Sequence, residues 1–376
     1  MATTKKPLPR SVAVWLFIGV FMVFMQIVIG GITRLTDSGL SITEWNVIMG
    51  VFPPNSEQAW QEAFLSYQEK AKTQFEAIHQ DMTLDEFKFI YFWEYFHRLW
   101  ARSLGFVFLF PFLYFWFKKL LPKQLIRQLF IAVLLAALAA SLGWIMVASG
   151  LDTPDRAWVD AYKLSLHLGV GVFLFCYLLW TFYQVAQPQT MEGHSKRMRK
   201  FAGRITFVIF LQVLLGGLMS GMKAGLFFPE FPHMQLTAAG DKLWIAEVLK
   251  EKHQWTWNNM INYQKNSFAP ALVQVLHRYT AYLLVILIPT LFFRIRRMNR
   301  SFALNVGIWL LLIALAVQVT LGIYTLINCI GKVPVGLGVA HQACAVILLG
   351  IMLFVNYQFS KGGYSTDDLP SKTEKE

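Results

Sequence analysis

Eight apolar runs, at roughly 11–33, 96–117, 127–149, 164–185, 203–222, 270–293, 302–326 and 336–358, limit what this chain can become. Each approaches the ~20 residues that an α-helix needs to cross a bilayer core ~30 Å thick. Within that core every backbone N–H and C=O must be satisfied inside the segment, so runs of this length have to be helices. The composition agrees: 56% of residues are apolar, 15% are charged, and the mean hydropathy is +0.45. The expected fold is an all-α polytopic membrane protein with eight transmembrane helices.

A formal net charge of +12 invites a nucleic-acid reading, but the basic residues fall in short loops. Segments 118–127, 186–204 and 294–300 hold thirteen Lys and Arg against one acid, Glu192. The connection 34–95 instead carries ten Asp and Glu against four Lys and Arg. This is the positive-inside pattern, and it places both termini in the cytoplasm and the 34–95 connection outside. Lipid, and not nucleic acid, is the partner that the charge implies. The first run follows "MATTKKPLPR", has full spanning length and shows no small-residue cleavage site, so it is kept as a helix. No arginine-rich transit segment precedes it, which favours a bacterial inner membrane. Cys176, Cys329 and Cys344 are dispersed and do not support a disulfide framework.

The chain repeats itself. "QIVIGGITRLTDSGL" at 26–40 aligns with "QVLLGGLMSGMKAGL" at 212–226, and "HRLWARSLG" from His97 aligns with "HRYTAYLLV" from His277, at offsets of 186 and 180 residues. Four spans per unit give both units the same orientation, related by an axis along the membrane normal. The expectation is two pseudo-symmetric four-helix bundles, residues 1–200 and 201–376. Within the first outer connection, 56–80 mixes acids and apolar residues at helical spacing, as a surface helix would.

Of eight histidines, His79, His194, His233 and His253 fall in loops and are expected to be solvated. His97, His167, His277 and His341 lie near the outer ends of spans two, four, six and eight. Each has a small residue at i+4 (Ala101, Gly171, Ala281, Ala345) and a leucine at i+7 (Leu104, Leu174, Leu284, Leu348) on the same helix face. A small residue one turn inward leaves room for a flat macrocycle whose iron must come within ~2 Å of the imidazole. The same pattern also suits tight helix packing. Two inward histidines per bundle could clamp one iron axially, and haem is the cofactor for which such a pair suffices. With no third His, Cys or carboxylate clustered beside each pair except Glu94, zinc or copper is less well served.

Arg98 and Arg278 directly follow two of the histidines. They could pair with the propionates of a haem or extend to outer headgroups, and Arg34 is a weaker candidate for the first role. The repeat breaks three residues before each histidine, where Glu94 in the first unit becomes Gln274 in the second. Only the first unit therefore has an acid that can exchange protons beside a bound group, which suggests an active half and a helper half. The bland reading of Glu94 is an interfacial partner of Arg98.

These residues resemble the haem A synthase family, in the branch whose long first outer loop lacks a cysteine pair. The resemblance rests on "GGITRLTDSGLSITEW" after the first span, "EYFHR" at 94–98, "LSLHLGVG" at 164–171, "LHRYTAY" at 276–282 and "VAHQACAV" at 339–346. It implies oxidation of a ring methyl of haem O to a formyl group by two successive hydroxylations, the product serving terminal oxidases. It further implies that His97 and His167 hold the substrate haem, that His277 and His341 hold a resident haem b, and that Glu94 is the functional acid. Some members carry a cysteine pair in the first outer loop; 34–95 contains none, so thiol chemistry there is not carried over. A non-catalytic di-haem b-type electron carrier would use the same histidine pairs. The electron donor, docking to haem O synthase or to cytochrome oxidase, and homo-oligomer formation are left open by the sequence.

Overall fold

The computed structural model describes residues 7–43, 52–151, 157–190, 192–193, 195–232, 235–236 and 243–370. Eight of its helices are long and apolar enough to cross a membrane: α1 (Arg10–Leu35), α4 (Leu84–Phe117), α5 (Lys123–Leu151), α6 (Ala161–Ala186), α7 (Lys196–Gly221), α10 (Phe268–Arg296), α11 (Phe302–Ile327) and α12 (Val335–Gln358). The first outer connection contributes α2 (Glu57–Lys70) and α3 (Lys72–Ile78). The second contributes α8 (Ile245–Lys250) and α9 (Trp257–Ile261). Among the described residues, extended pairing is confined to short contacts, chiefly the two-residue strands β1 (Gln235–Leu236) and β2 (Leu243–Trp244).

All eight expected spans are helices, and one is much longer than its apolar run. Helix α4 begins at Leu84, well ahead of residue 96, and its 34 residues extend for ~51 Å. Its start is set by a capping box: Glu86 N–H donates to Thr83 Oγ1 and Thr83 N–H donates to Glu86 Oε2. The outer turns stay helical because Phe87 and Ile90 are buried in a cluster with Tyr67 and Leu40. Phe87 stacks on Phe64 at 4.9 Å and on Tyr67 at 5.5 Å, which docks α2 on the extended end of α4. Segment 56–80 is helical as its spacing suggests, broken at Ala71 into α2 and α3.

The first four and the last four spanning helices make similar sets of contacts. Helix α1 packs on α4 and α6, and α5 packs on α6; likewise α7 packs on α10 and α12, and α11 packs on α10 and α12. Contacts α6–α7, α1–α12 and α6–α12 join the groups, and one continuous apolar cluster, including Leu16, Leu178, Leu349 and Met352, fills the seam. Phe17, Leu134, Phe207 and Ile313 point outward and are more than half exposed, as lipid-facing side chains of a multi-pass membrane protein should be.

The internal repeat is visible in the backbone. Just past α1 and α7, Asp37 and Lys223 adopt the left-handed conformation with φ of 52° and 51°. They stand 186 residues apart and touch each other: Lys223 Nζ lies 3.2 Å from Asp37 Oδ1. Arg34 Nη2 donates to the Ser220 carbonyl at 2.8 Å, again across 186 residues. Equivalent positions can meet only at the axis that relates the two units.

Candidate metal centres

The four spanning-helix histidines share a setting built from two helices each. In every case the imidazole edge lies against a glycine of the preceding spanning helix. A Cβ placed on Gly30, Gly143, Gly216 or Gly322 would stand 3.0, 3.0, 3.6 or 2.8 Å from Cε1 of His97, His167, His277 or His341 respectively. Four residues before three of these glycines is a glutamine. Gln26 Nε2 lies 3.1 Å from His97 Nε2 and 3.2 Å from Nδ1, and Gln318 Nε2 lies 3.1 Å from His341 Nδ1. Gln212 Nε2 donates to the His277 carbonyl at 3.0 Å. The fourth position is Ala139, whose carbonyl lies 2.9 Å from His167 Nδ1. The units read QIVIG, AASLG, QVLLG and QVTLG, a fourfold pattern nested inside the twofold repeat.

All four imidazoles are only partly buried, as side chains facing a space would be. The rings of His277 and His341 are 6.4 Å apart between centroids at an interplanar angle of 66°. Two imidazoles bound to one metal at ~2 Å each put their centroids ~6.3 Å apart, so this pair fits a bis-histidine iron. His277 Nδ1 is buried without a hydrogen-bond partner. His97 and His167 lie within electrostatic reach of each other in the first half. Among the described residues there is no group of three or more His, Cys, Asp or Glu that could hold a bare metal ion, so axial pairing is what these side chains fit.

Glu94 is buried, with 3% of its surface exposed. Its Oε2 accepts from Ser41 Oγ and from the Ile42 N–H, both at 2.8 Å, and its Oε1 accepts from Arg98 Nη2 at 2.6 Å. Arg98 also donates to the Ile42 carbonyl at 3.0 Å. The second half repeats this clasp with the polarity changed: Gln274 Nε2 donates to the Phe228 carbonyl at 2.9 Å, and Arg278 Nη2 donates to the carbonyls of Phe228 and Glu230 at 3.4 and 2.8 Å. Ile42 and Phe228 are again 186 residues apart. In both halves the residue three before the histidine and the arginine just after it pin the incoming outer segment against the helix. Arg98 thus binds the Glu94 carboxylate and backbone, and Arg278 binds backbone. Arg34 reaches Asp37 at 3.2 Å and Ser220 across the pseudo-twofold axis.

Of the loop histidines, His253 is exposed as expected, and His194 and His233 lie outside the described residues. His79 differs from expectation. It is half-buried, with Nδ1 2.6 Å from the hydroxyl of the fully buried Tyr67, and burial pulls its pKa below the ordinary imidazole value. The expectation failed because a histidine between two loop helices looks solvated until α2 folds back over it.

Fold and site together define a polytopic membrane protein with two histidine pairs, one in each half of an internal repeat. The chain belongs to the COX15-CtaA family of cytochrome oxidase assembly proteins, whose model matches residues 13–353. It is 38% identical over 353 residues to the haem A synthase of Flavobacterium psychrophilum, covering 94% of this chain and 99% of that protein. It is 37% identical over 355 residues to the haem A synthase of Nitrosospira multiformis, covering 94% of each. Against the haem A synthase of Bradyrhizobium diazoefficiens it is 35% identical, covering 90% of this chain and 89% of that protein.

Proposed function

We propose that the protein is a haem A synthase, an oxidoreductase that converts haem O to haem A by two successive hydroxylations of one ring methyl. Family membership supports the reaction class. The observation that carries the assignment to residues is the 6.4 Å separation of the His277 and His341 rings; His97 and His167 each lie against a glycine of the preceding spanning helix, as those two do. On this reading residues 1–200 form the substrate-haem half, and residues 201–376 form the half with a resident haem b. The bacterial inner membrane is the site of action, both termini are cytoplasmic, and the basic short loops support that orientation.

His277 and His341 would hold the resident haem b, which would supply one-electron chemistry. His97 and His167 would hold the substrate haem by its iron. The Ala139 carbonyl can accept from His167 Nδ1–H and so orient that imidazole. Glu94 is the functional acid, and its oxygens Oε1 and Oε2 take up and release the protons that methyl oxidation displaces. Arg98, Ser41 and the Ile42 N–H hold that carboxylate at a fixed position. In the other half Gln274 carries no exchangeable acidic proton, consistent with a half that holds a haem without transforming it.

Extraction of haem from the purified protein with mass analysis tests the proposal. Haem b together with haem O, haem A or an alcohol intermediate supports it. Haem b alone returns the protein to the electron-carrier reading.

A further inference from the structure

A cavity of about 550 Å³ lies in the first half, lined by α1, α4, α5 and α6 on the cytoplasmic side of His97 and His167. That volume lies within the ~300–1,000 Å³ of ordinary ligand sites. We propose that it seats the isoprenoid tail of haem O, the long substituent that distinguishes this substrate from haem b. The inference rests on the haem A synthase reading and adds to it the site that tells substrate from resident cofactor.

The repeat explains why the space exists. Aligning Gly143 with Gly322, the two glycines under His167 and His341, sets Ala132, Val133 and Ala136 of α5 against Leu311, Leu312 and Leu315 of α11. Leu311 and Leu315 are buried in the core, with 1% and 7% of their surfaces exposed. The side chains that fill the second half at this level are cut back in the first, and Ala132 and Ala136 line the cavity. The matching helices also pack differently. Helix α10 lies against α11, whereas α4 and α5 make little contact among the described residues. The apolar windows of α4 and α5 are 17% and 6% buried, against 33% and 28% for α10 and α11. The first half is thus open sideways toward lipid, where a long-tailed haem would arrive.

The order of polarity along the cavity matches that substituent. Arg102 lines the end nearest the histidines, five residues or ~7.5 Å along α4 from His97. Leu109 lines the far end, ~18 Å along the same helix. The isoprenoid chain of haem O is joined to the macrocycle through a carbon bearing a hydroxyl, which a guanidinium can hydrogen-bond, and everything beyond that carbon is hydrocarbon. No comparable demand exists in the second half, where haem b has no tail and Tyr282 stands at the position of Arg102.

The test gives the first half the side chains of the second, through Ala132→Leu combined with Ala136→Leu in the full chain with its second half loaded. Purified wild type and variant are titrated with haem O and, separately, with haem b, following the haem absorbance change on binding. Wild type is expected to prefer haem O. The variant should lose affinity for haem O by at least about tenfold while still taking up haem b. The single change Ala136→Leu should give a smaller loss in the same direction, and retention of the second-half haem reports that the fold is intact. Unchanged haem O affinity in the double variant, or an equal loss for both haems, overturns the proposal. If haem O binding to wild type survives His97→Ala, the first half is not the substrate site, and the parent reading falls together with this one.

Discussion

A methyl group added at Gly322 would stand 2.8 Å from His341 Cε1, closer than real Cβ contacts come, so the imidazole has to rotate or the helices part. Overpacking of this kind costs ~1–3 kcal/mol, and here it also moves a ligand nitrogen. Gly322→Ala is therefore expected to lower haem content, read from the reduced-minus-oxidised spectrum. Gly336→Ala on α12 meets nothing within 4 Å and should leave the spectrum unchanged. His277→Ala should remove the second-half haem outright. Glu94→Gln should leave both haems bound but slow product formation, and normal turnover would remove the acid role. It also leaves one acceptor oxygen for the three donors Ser41 Oγ, Ile42 N–H and Arg98 Nη2 in a buried site, a loss of about 1–3 kcal/mol readable as a lowered Tm. The histidines and their i+4 small neighbours were legible in the sequence because both lie on one helix at fixed spacing. The glycines opposite them were not, since no one-helix periodicity links Gly143 to His167. The visible trace was the recurrence of QIVIG and QVLLG, a twofold repeat that AASLG and QVTLG extend to nearly fourfold.

Element boundaries were legible where hydropathy changes sharply and illegible where packing takes over from it. Helix α4 shows the difference: residues 84–95 carry Asp85, Glu86, Lys88 and Glu94 and do not read as membrane, yet the Thr83–Glu86 capping box starts the helix there. Glu94 and His97 thus sit well inside a rigid helix, not at its frayed end. The same protruding end supports α2 and α3 and so buries His79 beside Tyr67, with Asp37, Glu86 and Lys223 as its charged neighbours. Burial disfavours the imidazolium more than Asp37 and Glu86 favour it, so the folded pKa lies below the ordinary value of ~6.5. Between the folded and the unfolded pKa the unfolded chain binds a proton that the folded one refuses. Stability is therefore full above pH ~6.5 and declines as pH falls below it. Thermal unfolding of the detergent-solubilised protein from pH 7.5 to 5 should show this decline, and His79→Asn should flatten it. An identical slope in wild type and variant would assign the acid sensitivity elsewhere.

For the whole molecule, the repeat implies two like-oriented units but not how they meet, because no sequence pattern marks a pseudo-twofold axis. The structure marks it with charge: Asp37 carries the acid, its repeat equivalent Lys223 carries the base, and Arg34 adds a second cation to Asp37 while donating to Ser220. Divergence of one duplicated position into opposite charges converts a self-contact into an attraction between the halves. Lys223 is further held over the Trp158 ring at 4.5 Å, which ties the loop entering α6 to the same point. Burial draws the Lys223 ammonium below the ordinary lysine range, and Asp37 pulls it back. The side chains of Lys223 and Asp37 are 17% and 26% exposed, so their coupling should be modest, roughly 0.5–1 kcal/mol. The costs of removing each partner should be unequal. Lys223→Ala leaves Asp37 still paired with Arg34, whereas Asp37→Ala leaves two partly buried cations facing each other across the seam, and should lower Tm more. In a double-mutant cycle the combined variant should cost less than the sum of the two, with the difference shrinking as salt is raised. Strict additivity at low salt would mean that apolar packing of α1, α6, α7 and α12 alone joins the halves, with the charges adding nothing measurable.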